Sequence, residues 1–102
     1  MAVVLRWSPM AKEDLRRLYR HIAADQPLAA ERVLRRIEAR CLRLVGHPRL
    51  GGRRPDIGDT TRVVVEAPFL VLYETCPDTD DGPVEAVVIV RVVDGRRDLE
   101  SL

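Results

Sequence analysis

Residues 84–98, VEAVVIVRVVDGRRD, contain the longest apolar run of the chain and end in arginines placed among aspartates. The run up to Val93 is rich in β-branched residues and shows no alternation of polar and apolar positions. This pattern predicts a strand that is central in its sheet or covered on both faces. Gly95 is expected to turn the chain after the strand. The charged end that follows is a candidate site, either for chemistry on a substrate or for binding a partner.

Two shorter β-type runs precede this strand. Residues 62–66, RVVVE, and residues 69–75, FLVLYET, are separated by two residues, which predicts a tight hairpin. An acidic turn, PDTDDGP at residues 77–83, separates the hairpin from the last strand. Further upstream, residues 46–60 hold four of the six glycines and are expected to form an irregular loop.

The first half of the chain has helical periodicity. Ser8 is a predicted N-cap and Pro9 suits the first helical position, so a helix is predicted over residues 9–24. A second helix is predicted to begin at Pro27 and to end at Gly46. The connection between them is short, and the two helices are therefore expected to be antiparallel neighbours.

The order of elements indicates the fold class. A strand predicted at residues 2–7 is followed by two helices and three strands, a β-α-α-β-β-β order without internal repeats. This order favours an α+β fold, in which an antiparallel two-helix hairpin packs on one face of a mostly antiparallel sheet. A chain of 102 residues that is 46% apolar suits one small domain, residues 1–102. Its start lacks a signal peptide, and a cytoplasmic location is expected.

Cysteine usage and charge limit the class of protein further. Cys41 and Cys76 belong to no Cys-x-x-Cys motif, so two buried thiols are expected, with neither a disulfide nor a zinc site. Residues 1–54 carry thirteen Lys or Arg against five Asp or Glu, whereas residues 55–102 carry four against eleven. The domain is therefore expected to be electrically polar. Almost every basic residue is arginine, which reflects either a GC-rich genome or guanidinium groups that bind carboxylates or phosphates.

Five motifs, in order along the chain, resemble the RelE/ParE toxins of bacterial type II toxin–antitoxin modules. They are WSPMAKEDL (7–15), DQPLAAERV (25–33), LVGHPRLGGRRPDIG (44–58), RVVVEAPFLVLYE (62–74) and RVVDGRRDL (91–99). The joint between the helices and the terminal Arg-Arg-Asp are most similar to the ParE branch. The resemblance implies a RelE/ParE-like fold, no cofactor, and growth arrest by stabilising the DNA cleavage complex of DNA gyrase. Resemblance to the RelE branch would instead imply cleavage of messenger RNA on the ribosome.

The residues themselves bear on the choice between a ribonuclease and a gyrase inhibitor. Cleaving RNA through its 2′-hydroxyl requires a base, an acid and cations around the transition state. The cations are available as four arginines, which are the candidate target-binding residues: Arg62, Arg91, Arg96 and Arg97. No Tyr, His or Lys follows Tyr73, and Asp94 stands where many relatives have histidine. An aspartate among arginines is expected to stay ionised and to repel phosphate. We interpret His21 and His47 as structural, and we expect no catalytic residue.

The candidate site also has a structural interpretation. Arg91 is either one partner of a buried ion pair or a surface contact, because an enclosed arginine needs a counter-charge. Asp98 is expected to pair with an arginine. Arg96 and Arg97 are better suited to recognition, since their side chains are easily exposed at a chain end. The cluster is therefore predicted to bind a partner and not to catalyse a reaction.

The resemblance also implies a partner. Relatives are held inactive by a ParD-like antitoxin, whose disordered C-terminal arm folds over the helical hairpin and along the sheet to give a hetero-oligomer. Acidic antitoxin segments would complement arginines on the polar faces of the two helices. The candidate antitoxin-binding residues are Arg16, Arg17, Arg20, Arg32, Arg36 and Arg40. The alternative is an ordinary solvated helix face.

Two other classes stay open. Direct binding of nucleic acid is favoured by the basic first half of the chain. With only four aromatic residues, however, the chain offers no stacking platform for single strands. The form of nucleic-acid binding that stays open is contact between arginines and a duplex. A scaffold that binds antitoxin and has lost toxicity is compatible with Asp94 in place of histidine. Neither a membrane nor a small-molecule substrate is expected as a partner.

Overall fold

The structure is a computed structural model, and it describes residues 2–96. The elements, in chain order, are β1 (Val4–Trp7), α1 (Pro9–Ala23), α2 (Pro27–Gly46), β2 (Gly52–Arg53), β3 (Arg62–Glu66), β4 (Phe69–Cys76) and β5 (Ala86–Asp94). This order confirms the predicted α+β class and adds one strand, β2. Within the described residues, neither helix is both long and apolar enough to cross a membrane.

The five strands form one sheet in the order β1-β5-β4-β3-β2. β1 runs parallel to β5, and the other neighbouring pairs are antiparallel. The apolar run of β5 is therefore an internal strand, as its sequence pattern predicts, and the hairpin of β3 and β4 is also confirmed. The prediction that residues 46–60 are irregular throughout was wrong, because Gly52 and Arg53 pair with Val63 and Arg62.

Local sequence explains the bounds of both helices. The Ser8 hydroxyl accepts a hydrogen bond from the Ala11 amide at 3.0 Å and caps α1, and Pro9 begins it. Pro27 begins α2 after a three-residue connection. The helices pack on each other, and α1 also packs on β5. The core includes Ala11, Ile37, Cys41, Leu44, Val71, Tyr73, Val87 and Ile89, all without solvent exposure. Burying each of the larger apolar side chains stabilises the fold by about 1.5 to 3 kcal/mol.

A β-bulge in β5 fixes the position of α1. Tyr73 pairs with Ile89 and Leu72 pairs with Arg91, so Val90 is the extra residue. The Ser8 hydroxyl donates to the carbonyl of Val90 at 2.7 Å while it caps the helix. The same side chain therefore begins α1 and attaches it to the bulge.

The two cysteines differ in environment. Cys41 is buried in the core, and desolvation, with a smaller contribution from Glu38, raises the pKa of its thiol to about 12. Cys76 is exposed at the end of β4, so the prediction of two buried thiols was wrong for this residue. Both thiols are free, as predicted. Cys76 is exposed because β4 ends there, beyond the region that the helices cover.

Candidate functional site

The end of β5 presents an arginine held by a buried aspartate. The guanidinium of Arg96 donates to both carboxylate oxygens of Asp94, at 3.1 and 2.9 Å, and the Arg96 amide donates to Asp94 Oδ1 at 2.9 Å. These bonds raise the pKa of Arg96 above its usual value. The Arg96 side chain is 70% exposed and that of Asp94 is 6% exposed. The aspartate thus orients an arginine that still faces solvent. The candidate Arg97 and the predicted pairing of Asp98 lie outside the described residues.

A close backbone approach at Gly95 forms the turn that precedes Arg96. The Gly95 amide donates to the Pro68 carbonyl at 3.0 Å, which ties the end of β5 to the β3–β4 turn. A Cβ at this position would lie 3.2 Å from both the Leu70 side chain and that carbonyl. The close approach brings the end of β5 back over the hairpin and fixes the place where Arg96 emerges.

The structure places Arg91 in an ion pair. Its guanidinium donates to both carboxylate oxygens of Asp14 in α1, at 2.8 and 3.1 Å. The Asp14 side chain is 8% exposed and the Arg91 side chain is 26% exposed. The sequence leaves two alternatives open for Arg91, a buried ion pair or a surface contact, and the structure shows the ion pair. Its contact with a target stays a prediction.

Arg62 lies beneath the loop that follows α2. One terminal nitrogen donates to the Gly51 carbonyl at 3.0 Å, and the other lies 3.6 Å from Asp80. Its Nε is buried without a hydrogen-bond partner among the described residues. The Arg62 side chain is buried, so this placement favours support of the loop over direct contact with a target. The target-binding role of Arg62 likewise stays a prediction.

Two loops of opposite charge meet beside Arg62, and we call this contact the loop clasp: residues 48–54 against residues 77–85. Arg49 donates to the carbonyls of Thr79, Asp81 and Gly82 and to the Thr79 hydroxyl, at 2.8 to 3.1 Å. Arg53 donates to Asp78 and Asp80, each at 2.9 Å. The basic first half and the acidic second half therefore partly neutralise each other here, which reduces the electrical polarity that the sequence predicts.

Sequence reasoning missed the role of Tyr73. Its hydroxyl accepts from the Gly51 amide and donates to the Pro48 carbonyl, both at 2.8 Å, and its ring is fully buried. Arg62 binds the carbonyl of the same glycine, so both backbone polar groups of Gly51 are held. The available signal was a tyrosine inside an apolar strand, because a buried hydroxyl needs a hydrogen-bond partner.

The six candidate antitoxin-binding arginines lie on the two helices and differ in whether they form ion pairs. Arg16 and Arg20 pair with Glu13 at 3.5 and 3.1 Å. Arg36 and Arg40 approach Glu66 of β3 at 3.9 and 3.4 Å. Arg17 and Arg32 are exposed, and neither forms an ion pair within residues 2–96. Ion pairs as exposed as these contribute about 0 to 1 kcal/mol, so a partner can break them at little cost.

An apolar groove lies between the two helices. Leu15 and Tyr19 of α1 and Leu34 of α2 line it, with Arg16 and Arg20 on one side, and its volume is about 420 Å³. Its lining is almost entirely apolar. Such a groove suits an apolar side chain of a peptide partner, with acidic neighbours placed against the arginines.

The described residues offer little for catalysis. They contain no group of three or more His, Cys, Asp or Glu side chains that could hold a metal ion. The Tyr73 hydroxyl is committed to the backbone of the loop clasp, and Asp94 is tied to Arg96. His21 and His47 are exposed, at the last turn of α1 and just after α2.

Solved structures of toxin–antitoxin systems share this architecture. A chain of the chromosomal ParDE system from P. aeruginosa superposes with a TM-score of 0.72 at 22% identity, over 90% of this chain and 95% of that chain. A chain of the toxin–antitoxin complex RelBE2 from Mycobacterium tuberculosis superposes with a TM-score of 0.62 at 23% identity, over 92% of this chain and 99% of that chain. The chain therefore shares the fold of these two structures.

Comparison with protein families specifies the branch. Residues 5–99 match the family described as the ParE toxin of the type II toxin–antitoxin system parDE. The search of curated proteins found no match. The chain belongs to the ParE toxin family, and the resemblance inferred from its five motifs is confirmed.

Proposed function

We propose that this ParE-family toxin inhibits DNA gyrase by stabilising its DNA cleavage complex, and that a ParD-like antitoxin neutralises it. The observation that supports a binding role over catalysis is the end of β5. There an exposed guanidinium, Arg96, is oriented by the buried carboxylate of Asp94. This arrangement presents a fixed cation to a protein or DNA surface and supplies no proton-transfer group.

Phosphodiester cleavage is the less favoured function for the same reason. A base must accept the 2′-hydroxyl proton and an acid must protonate the leaving oxygen. Asp94 accepts two hydrogen bonds from the Arg96 guanidinium and one from the Arg96 amide, which direct its oxygens at Arg96. The buried hydroxyl of Tyr73 donates to Pro48. Neither group is placed to exchange a proton with an RNA substrate.

The helical hairpin is the proposed antitoxin site. The groove formed by Leu15, Tyr19 and Leu34 offers an apolar pocket beside Arg16 and Arg20. An amphipathic antitoxin segment would place an apolar side chain in this groove and carboxylates beside the arginines. Both solved structures come from toxin–antitoxin systems, which supports an antitoxin as the partner.

The target is tested by adding the purified chain, free of antitoxin, to gyrase with relaxed plasmid and ATP. We expect supercoiling to fall and linear DNA to accumulate. Arg96→Ala should weaken both effects, whereas Arg6→Ala, which removes an exposed arginine of β1, should leave them unchanged. Unchanged supercoiling at a large molar excess of folded protein would contradict the gyrase proposal. Cleavage of messenger RNA on translating ribosomes would then favour a ribonuclease, and normal growth on expression would favour a non-toxic scaffold.

The antitoxin site is tested by titrating the toxin with the antitoxin encoded beside it. Tyr19→Ala, in the groove, should weaken binding by about tenfold or more, because a buried aromatic contact is lost. Leu50→Ala removes an exposed apolar side chain outside the groove and should have little effect. Affinity should also fall as salt is added. Equal losses from the two variants would argue against the groove, and affinity independent of salt would argue against the arginines.

A further inference from the structure

The outward face of α2 carries a row of arginines that we call the arginine stripe. Its members are Arg32, Arg35, Arg36, Arg40 and Arg43. All are exposed except Arg40, which is half-buried. With 3.6 residues per turn, Arg32, Arg35 and Arg43 lie on the side of the helix away from the buried Ile37, Cys41 and Leu44. Arg36 and Arg40 lie between that side and the core, where they approach Glu66. From Arg32 to Arg43 the stripe extends about 16 Å along the helix axis.

Few negative charges oppose this stripe. Among the described residues, Glu66 alone pairs with it, at 3.9 Å from Arg36 and 3.4 Å from Arg40. Arg32, Arg35 and Arg43 form no ion pair with a described residue. Several members are spaced by three or four residues, where side chains are neighbours on the helix surface and like charges repel each other. The stripe therefore costs stability in the isolated domain, and an external anion would relieve the repulsion.

We propose that the arginine stripe binds the phosphate backbone of duplex DNA. A row of guanidinium groups along a rigid helix complements a row of phosphates, and each planar fork can bind a phosphate through two hydrogen bonds. The aromatic residues of the chain, Trp7, Tyr19, Phe69 and Tyr73, all lie on other elements or faces. Without an aromatic platform, the stripe favours a duplex over a single strand.

The exposed apolar side chains near the stripe lie at its end and margin and not at its centre, which favours a phosphate backbone over an acidic polypeptide as its occupant. Apart from the arginines, its centre holds Ala39, while the exposed Leu28 lies one turn before it and Leu42 lies at its margin. A peptide that folds on binding needs apolar contacts to offset its loss of conformational entropy. Such contacts are available in the groove, whose Leu34 lies on the opposite side of α2 from Arg32 and Arg43.

This inference is independent of the gyrase proposal, because it concerns DNA in the absence of any other protein. The experiment measures fluorescence anisotropy of a labelled DNA duplex titrated with the full-length, antitoxin-free chain. The stripe variant is Arg32→Gln, Arg36→Gln and Arg43→Gln combined. The matched control is Arg6→Gln, Lys12→Gln and Arg54→Gln combined, since these cations lie outside both the stripe and the groove and the charge change is the same. Circular dichroism checks that both variants stay folded.

We expect the unaltered chain to bind duplex DNA at low salt, with log affinity falling linearly against log salt. The stripe variant should bind at least about tenfold more weakly and should reduce the salt slope by about 2 to 3, as expected for the loss of three phosphate contacts. The control variant should change affinity by less than about threefold. Equal losses in the two variants, or no loss in the stripe variant, would overturn the proposal. The same holds if an acidic peptide such as poly-glutamate binds through the stripe and the duplex does not.

Discussion

Asp14 and Arg91, 77 positions apart in the chain, form a two-pronged ion pair at the edge of β5, with distances of 2.8 and 3.1 Å. Asp14 also accepts the Val92 amide at 3.0 Å. β1 pairs with β5 only as far as Trp7 and Ile89, and the carboxylate satisfies an edge amide beyond that point. One side chain of α1 therefore continues the hydrogen bonding of the sheet where the parallel strand ends.

Removal of this carboxylate should destabilise the protein. Asp14→Ala removes the buried carboxylate that both the Arg91 guanidinium and the Val92 amide bind, and we expect the free energy of unfolding to fall by about 2 to 4 kcal/mol. Urea unfolding followed by circular dichroism measures it. Glu13→Ala removes only the exposed pairs with Arg16 and Arg20 and should cost less than about 1 kcal/mol. Similar losses for both variants would contradict a special role for Asp14.

The Tyr73 hydroxyl should stabilise the loop clasp. Tyr73→Phe keeps the buried ring but leaves the Gly51 amide and the Pro48 carbonyl unpaired, so we expect a loss of about 1 to 3 kcal/mol. Limited proteolysis should also cut residues 48–54 faster. Tyr19→Phe is the control, because the Tyr19 hydroxyl makes no hydrogen bond with a described residue. Unchanged stability and cleavage in Tyr73→Phe would show that water replaces the hydroxyl without cost.

Two adjacent glycines should respond differently to substitution. A Cβ at Gly51 would lie 2.6 Å from the Val63 carbonyl and 2.7 Å from the Tyr73 ring, whereas a Cβ at Gly52 would meet nothing within 4 Å. We expect Gly51→Ala to lower the unfolding free energy by about 1 to 3 kcal/mol, as overpacking does. Gly52→Ala should be close to neutral. Thermal unfolding of the two variants measures the contrast, and equal melting temperatures would refute it.

The two thiols should differ in reactivity toward iodoacetamide. The thiolate is the reactive form, and burial raises the pKa of Cys41 to about 12, while Cys76 is exposed. At pH 8 we expect native protein to gain one adduct, at Cys76, and denatured protein to gain two. Intact-mass measurement and peptide mapping count and locate the adducts. Rapid labelling of Cys41 under native conditions would show that the core opens readily.

The contribution of Asp80 to stability should depend on pH. Hydrogen bonding to Arg53, the largest cause, lowers the pKa of Asp80 below its usual 3.8. A carboxyl whose pKa is lower in the folded state stabilises the fold at pH values above 3.8, and this contribution disappears as pH falls through the folded pKa. The gap in stability between the unaltered chain and Asp80→Asn should therefore be constant near neutral pH and close under acid. Asp59→Asn, outside the clasp, is the control. A stability difference between the unaltered chain and Asp80→Asn that stays unchanged down to pH 2 would contradict the link between the Asp80 pKa and stability.

Some parts of the fold follow from local sequence. Ser8 with Pro9 marks the start of α1 and Pro27 marks that of α2, because capping and proline geometry act over a few residues. The apolar run of β5 identifies an internal strand by its composition. The terminal Arg-Arg-Asp of the ParE-like motif predicts Arg96 as a candidate binding residue. Each of these signals lies within the segment that it predicts.

Other parts depend on segments far apart in the chain. A two-residue strand such as β2 has no periodicity to recognise, and it exists because Tyr73 and Arg62 hold Gly51 against β3. The partners of each arginine are likewise not predictable from local sequence, since Arg49 and Arg53 bind an acidic turn about 30 residues away.

The sequence by itself therefore determined the order of the two helices and of four of the five strands, the family and the arginine-rich character of the surface. The tertiary structure alone decided which arginines are used inside the fold and which face outward. Arg91 is paired with Asp14, Arg62 is buried beneath a loop, and Arg96 is exposed. The physical reason is that a charged side chain is stabilised by whichever counter-charge folding brings within a few ångströms, and separation along the chain does not predict that distance.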